Sequence, residues 1–83
     1  MGKANEYLEF ELLGSTGKTK TWTVLATRSN DTLGYVHWRS GWRRYVFSPL
    51  PSTDYEQDCM RTIADFIESE TAKQRAGWKG AKL

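Results

Sequence analysis

The chain is poor in the residues that hold metals or covalent staples: it has one cysteine, Cys59, and one histidine, His37. One cysteine forms no internal disulfide, so the fold rests on its core alone. One histidine and one cysteine in separate segments leave too few ligands for a zinc site, and no metal is expected. No apolar run approaches the roughly 18 residues of a membrane helix, and the N-terminus carries no signal-peptide pattern. The expected compartment is therefore the cytoplasm of a bacterium or an infected host. Only two prolines interrupt the chain, Pro49 and Pro51, and they sit almost together.

At 83 residues the chain predicts one domain, residues 1–76, with 77–83 as a flexible basic tail. A domain of this size buries only about 60–65% of its unfolded surface, which leaves no room for a deep enclosed active site. What it does have is aromatic bulk: four Trp, four Tyr and three Phe supply a core that 39% apolar content alone would leave thin. The net charge of +2 hides an uneven layout. Residues 1–53 carry seven Lys/Arg against four acids, residues 54–72 one against six, and residues 73–83 four against none. An acidic helix between two basic segments follows from that pattern.

Tyr7 to Leu13 alternates, with Leu8, Phe10 and Leu12 on one side and Tyr7, Glu9 and Glu11 on the other, as in a half-buried strand. Gly14-Ser15-Thr16-Gly17 reads as a turn. Thr19 to Thr27 is rich in β-branched residues and predicts a second strand, with Trp22, Val24 and Ala26 on its inner side. After a turn at Ser29-Asn30-Asp31, the segment Tyr35 to Phe47 predicts a hairpin. A two-residue loop at Ser40-Gly41 pairs Arg39 with Trp42, His37 with Arg44 and Val36 with Tyr45. Val36, Trp38, Tyr45 and Phe47 then face the core, with Arg43 at its rim. Tyr35, His37, Arg39, Trp42, Arg44 and Val46 face outward.

Pro49 and Pro51 end the fourth strand. Thr53-Asp54-Tyr55-Glu56 has the form of a capping box, predicting a helix from about Asp54 to Arg75 with Gly77 and Gly80 beyond its end. Tyr55, Cys59, Ile63, Phe66 and Ile67 make its apolar stripe, with Met60 at the margin. The expected fold is α+β: a four-stranded antiparallel meander and one C-terminal helix on one face of the sheet.

No catalytic constellation stands out, and a binding protein rather than an enzyme is expected. Gly17-Lys18-Thr19 ends like a phosphate-binding loop, but Leu12 occupies the position of the first glycine and the following residues read as strand, so a hairpin turn is expected. His37 lacks an orienting partner in the sequence. Asp54, Glu56 and Asp58 suit the positive end of a helix dipole. The outward hairpin face remains as the candidate site: Arg39, Arg43 and Arg44 for phosphates, and Tyr35, His37 and Trp42 as flat surfaces for bases. The same residue types make hot spots for protein partners, and Glu9 and Glu11 on the far edge strand make that face mixed in charge. DNA or RNA is one expected partner, a host protein another, and a third reading is a subunit of a phage particle or a homodimer joined through an edge strand.

Three segments carry a resemblance: Leu33-Gly34-Tyr35-Val36-His37-Trp38, Trp42-Arg43-Arg44-Tyr45-Val46-Phe47-Ser48-Pro49, and Cys59-Met60-Arg61-Thr62-Ile63-Ala64-Asp65-Phe66-Ile67. Over roughly residues 32–70 the chain resembles small uncharacterised proteins encoded by phages, prophages and plasmids. The resemblance implies a mobile-element origin and, since small phage proteins commonly act by binding, a binding role; nucleic-acid binding is the first expectation and inhibition of a host defence protein the second. It names no catalytic residue.

Overall fold

The structure, a computed structural model, describes residues 7–82, with side chains for all of these except 16 and 78–82. Four strands, β1 (Leu8–Thr16), β2 (Thr19–Ala26), β3 (Thr32–Arg39) and β4 (Arg44–Pro49), form one antiparallel sheet in the order β1-β2-β3-β4. The helix α1 (Gln57–Lys82) packs on one face. This is the expected α+β meander. Among the described residues no helix is long and apolar enough to cross a membrane.

Alternation in the strands builds the core. Leu8 and Phe10 from β1, Trp22 and Val24 from β2, Val36 from β3 and Tyr45 from β4 are buried against Ile63 of α1. Phe66 lies flat on Phe10, ring centroids 4.0 Å apart, and edge-on to Trp22 at 4.9 Å. Trp22 also meets Tyr45 edge-on at 5.2 Å. Trp38, expected in the core, is half-buried and packs its edge on Tyr45 from outside. Gly34 is buried because nothing larger fits: a Cβ there would sit 2.5 Å from the Ser48 carbonyl oxygen.

The first strand runs further than its alternation suggests. The expected turn at residues 14–17 is instead strand up to Thr16, which pairs with Thr19. The turn is Gly17-Lys18, with Gly17 at φ 59°, a conformation that costs other residues a Cβ clash. A bulge falls between Leu12 and Gly14. Bulges sharpen local twist, and here Leu12 and Leu13 both end up exposed although Leu12 lies opposite buried Trp22.

The helix starts three residues later and ends later than expected. Thr53 is not its N-cap. The Thr53 hydroxyl lies 2.8 Å from the Leu50 carbonyl and 2.9 Å from the Tyr55 hydroxyl, its one hydrogen serving either. Tyr55 in turn donates to the Leu33 carbonyl at 2.8 Å and packs edge-on against Phe47. These tertiary bonds hold residues 53–56 out of the helix. Glu56 takes over as cap: its carboxylate accepts from the Cys59 N–H, and its carbonyl accepts from the Met60 N–H at 3.0 Å. At the other end Gly77 adopts no left-handed turn, and the backbone stays helical through the expected tail to Lys82. At 1.5 Å per residue the helix is about 39 Å long.

Candidate functional site

The β1–β2 turn, the β3–β4 loop and the C-terminal half of α1 all gather at one end of the sheet. Lys18, Lys20, Arg39, Arg43, Arg44, Lys73 and Arg75 lie there, with Glu70 among them. The opposite end carries the β2–β3 turn, the β4–α1 link and the helix start, with Asp31, Asp54, Glu56 and Asp58 beside Arg28 and Arg61.

The hairpin at the basic end differs from the expected one. Arg39 pairs with Arg44, Trp38 with Tyr45, His37 with Val46 and Val36 with Phe47. Four residues, Ser40 to Arg43, therefore form the loop. The Trp42 and Arg43 N–H groups both donate to the Arg39 carbonyl, at 3.1 and 2.9 Å. It is Arg43, at φ 56°, and not Gly41 that supplies the left-handed residue. The register slips by two residues. Because side chains alternate with period two, such a slip leaves every strand residue on its expected face. Tyr35, His37, Arg39, Arg44 and Val46 still lie on the face away from the helix, while Trp42 and Arg43 move from strand into loop.

Arg39 and Arg44 thus face each other directly across the ladder, an arrangement of like charges that destabilises a hairpin. Among the described residues no ion pair joins either to a carboxylate. The Arg39 guanidinium lies over the Trp42 ring, 4.3 Å from its centroid. Trp42 is 59% exposed, so one ring face stays open to solvent. A cation–π contact at such a site contributes about 0.5–1 kcal/mol. Arg43 is also exposed, and its carbonyl rather than its side chain is fixed. Arg75 donates to that carbonyl twice, from Nε at 3.1 Å and from Nη2 at 2.8 Å. Arg75, predicted as the end of the helix, lies within it and clamps the loop.

Further along the same face, His37 Nε2 lies 2.8 Å from Ser48 Oγ. Tyr35 and His37 are half-buried, while Thr23 and Leu25 on the neighbouring strand are buried. Glu11 lies opposite Thr23, and Glu9 opposite Leu25, on the β1 side of this face. So the structure brings Arg39, Trp42, Arg43 and Arg44 together at the loop. It sets Tyr35 and His37 toward the middle of the sheet.

Sequence reasoning missed the struts that hold this end in place. Tyr45, 2% exposed, donates its backbone N–H to Thr71 Oγ1 at 3.1 Å. Its phenol oxygen accepts the Lys20 N–H at 3.1 Å and donates to Gln74 Oε1 at 3.4 Å. The β2–β3 pairing stops at Trp22, which leaves that Lys20 N–H for the phenol. Burial, and less strongly the nearby Glu70 charge, push the Tyr45 phenol above its ordinary pKa, against the opposing Lys20 N–H. The available signal was the helix stripe itself, since Thr71 and Gln74 continue the spacing of Ile63, Phe66 and Ile67 with polar residues. Cys59 is half-buried beside the core, and burial followed by Glu56 pushes its thiol up. A raised thiol is a poor nucleophile, so Cys59 serves packing.

The chain matches no family model, no curated protein and no solved structure.

The chemistry of the site therefore rests on its own groups. Three exposed guanidiniums and an open indole face, mounted on a loop clamped by Arg75, can bind phosphate oxygens and stack a base. Among the described residues, no cluster of His, Cys, Asp and Glu is arranged to hold a metal ion.

Proposed function

We propose that the protein is an accessory nucleic-acid-binding protein of a phage or related element, acting in the bacterial cytoplasm through the β3–β4 loop. The observation that carries this reading is the Arg39–Arg44 pair. Two arginines directly opposite each other on the ladder, with no carboxylate paired to either among the described residues, cost the isolated fold stability, and a bound phosphate reverses the sign of that interaction. Trp42 adds a stacking surface whose value on single strands is about 1–3 kcal/mol per base. Arg43 extends the cationic edge. Tyr35 and His37 offer flat groups further along the face.

The test is fluorescence anisotropy of labelled single- and double-stranded oligonucleotides with the natural chain and with Arg39→Ala/Arg44→Ala. Weakened binding by a folded double variant is expected; equal affinity rejects the reading. A host-protein partner is the second reading. Glu9 and Glu11 favour it, because a face acidic at one edge and basic at the other suits a protein surface better than a uniformly anionic polymer. Absence of any oligonucleotide binding at low salt passes the weight to that reading.

A further inference from the structure

On the helix side of the basic end, a cleft of about 430 Å³ opens between the β1–β2 turn and α1. Lys18 and Lys20 line one wall, Glu70, Lys73 and Gln74 the other, and Tyr45 lies between them. Its volume falls within the range of small-molecule sites, roughly 300–1,000 Å³. Three ammonium groups meet one carboxylate here, and the Lys73–Glu70 ion pair at 3.4 Å leaves Lys73 70% exposed and Glu70 17% exposed. The cleft is thus cationic at its mouth and has a carboxylate and an amide deeper in.

Gly77 also lines this cleft, and a Cβ built on it would meet nothing within 4 Å. It sits inside the helix, not at its end, and has no left-handed φ to justify it. Glycine there costs helix stability relative to alanine, and among the described residues no packing contact requires it. An open wall that only a glycine leaves bare is the form of a place where a ligand approaches backbone closely.

We propose that this cleft binds a sugar-phosphate unit, with Lys18, Lys20 and Lys73 on the phosphate, Glu70 and Gln74 on the sugar hydroxyls, and Gly77 as the bare wall. Ammonium groups suit a phosphate as mobile point charges, and a carboxylate suits hydroxyl donors. The unit comes either from a free nucleotide or from a nucleotide of a bound strand. Only the second source rests on the nucleic-acid reading above, because the Arg75 clamp places the cleft beside the hairpin loop.

The test is an NMR titration of the ¹⁵N-labelled full chain with inorganic phosphate, uridine 5′-monophosphate and a short oligouridylate. The Gly77 amide and the Gln74 side-chain amide should shift with the mononucleotide. Lys18→Gln/Lys73→Gln should weaken that binding about a hundredfold, about tenfold for each lost charge-assisted hydrogen bond. Gly77→Ala should raise Tm by about 4–8 °C yet weaken the mononucleotide, a split that a purely structural glycine does not produce. Cleft signals that move with the mononucleotide alone assign the site to a free nucleotide; signals that also move with the oligonucleotide assign it to the strand. No cleft shift with any of the three ligands, or a Gly77→Ala chain that binds as the natural one does, overturns the proposal. Moving hairpin signals with still cleft signals would do so while leaving the hairpin reading intact. Arg39→Ala/Arg44→Ala that leaves oligouridylate affinity unchanged would instead sink the hairpin reading and leave the cleft standing.

Discussion

The two ends of the sheet use charge differently. At the helix-start end, Glu56, Asp58 and Arg61 serve the helix. Glu56 caps α1, Asp58 pairs with Arg61 at 3.4 Å, and the link from β4 is closed by the Thr53, Tyr55 and Leu33 hydrogen bonds. At the hairpin end the fold is closed by neutral groups, Thr71 and Gln74 on Tyr45, and by Arg75 on the Arg43 carbonyl, with Lys73 paired to Glu70. Arg39 lies over the Trp42 ring and Arg44 donates to the Trp42 carbonyl at 3.4 Å, but among the described residues no carboxylate pairs with Arg39, Arg43 or Arg44, and Arg39 and Arg44 stand directly opposite each other. Cationic charge that, among the described residues, no carboxylate neutralises, gathered on a clamped loop beside an exposed indole, is what a binding end requires. Charge engaged in caps and pairs is what a structural end requires.

The comparison breaks most completely in the shared core. Trp22, 7% exposed and touching Phe66 and Tyr45, joins both ends. Trp22→Ala should cost about 3–5 kcal/mol and unfold the domain, read by urea denaturation followed by circular dichroism. A smaller break separates the ends. Thr71→Val keeps the shape but strands the buried Tyr45 N–H, and should cost about 1–3 kcal/mol in the same denaturation while loosening the loop. Hydrogen exchange should rise at Tyr45 and stay level at Cys59. At the other end Glu56→Ala removes the cap and should cost about 0.5–2 kcal/mol without touching the loop.

A subtler distinction comes from pH. The folded Tyr45 phenol holds its proton more tightly than an exposed one. The folded state therefore keeps protons that the unfolded state loses, and the associated stability is complete below the ordinary tyrosine pKa of 10.0 and falls as pH rises past it. Tyr45→Phe should flatten that alkaline decline relative to the natural chain, measured by denaturation at successive pH values. An identical decline in both would place the titration elsewhere.

Much of this was legible from local pattern. Period-two alternation located four strands and their inner faces, and the 3.6-residue stripe from Cys59 to Ile67 located the helix side. The faces of the hairpin survived a wrong loop because the slip, from Arg39 opposite Trp42 to Arg39 opposite Arg44, was an even number of residues. What local pattern missed was set by tertiary bonds. The Thr53–Glu56 capping box lost to Tyr55 reaching Leu33, and Gly77 lost its stop signal because no left-handed turn formed there. Arg43 took positive φ in place of Gly41 while its carbonyl gained the Arg75 clamp, a contact across 32 residues that no short-range rule foresees. The candidate residues Arg39, Trp42, Arg43 and Arg44 were found from the alternation of the hairpin strands and their basic and aromatic side chains. Their separation from Tyr35 and His37, and the cleft behind them, depended on the register and on the helix.

The Arg39–Arg44 pair contributes least to stability and should matter most for binding. Arg39→Ala/Arg44→Ala loses the contacts to Trp42 but relieves the repulsion, and should leave folding free energy within about 1 kcal/mol. The decisive measurement is the salt dependence of oligonucleotide binding for both chains. If the two guanidiniums hold phosphates, the slope of log affinity against log salt should be shallower in the double variant by about 1.4 for single strands, about 0.7 per lost contact. Equal slopes in two folded chains would mean that the cationic charge at the hairpin end is not held for a phosphate.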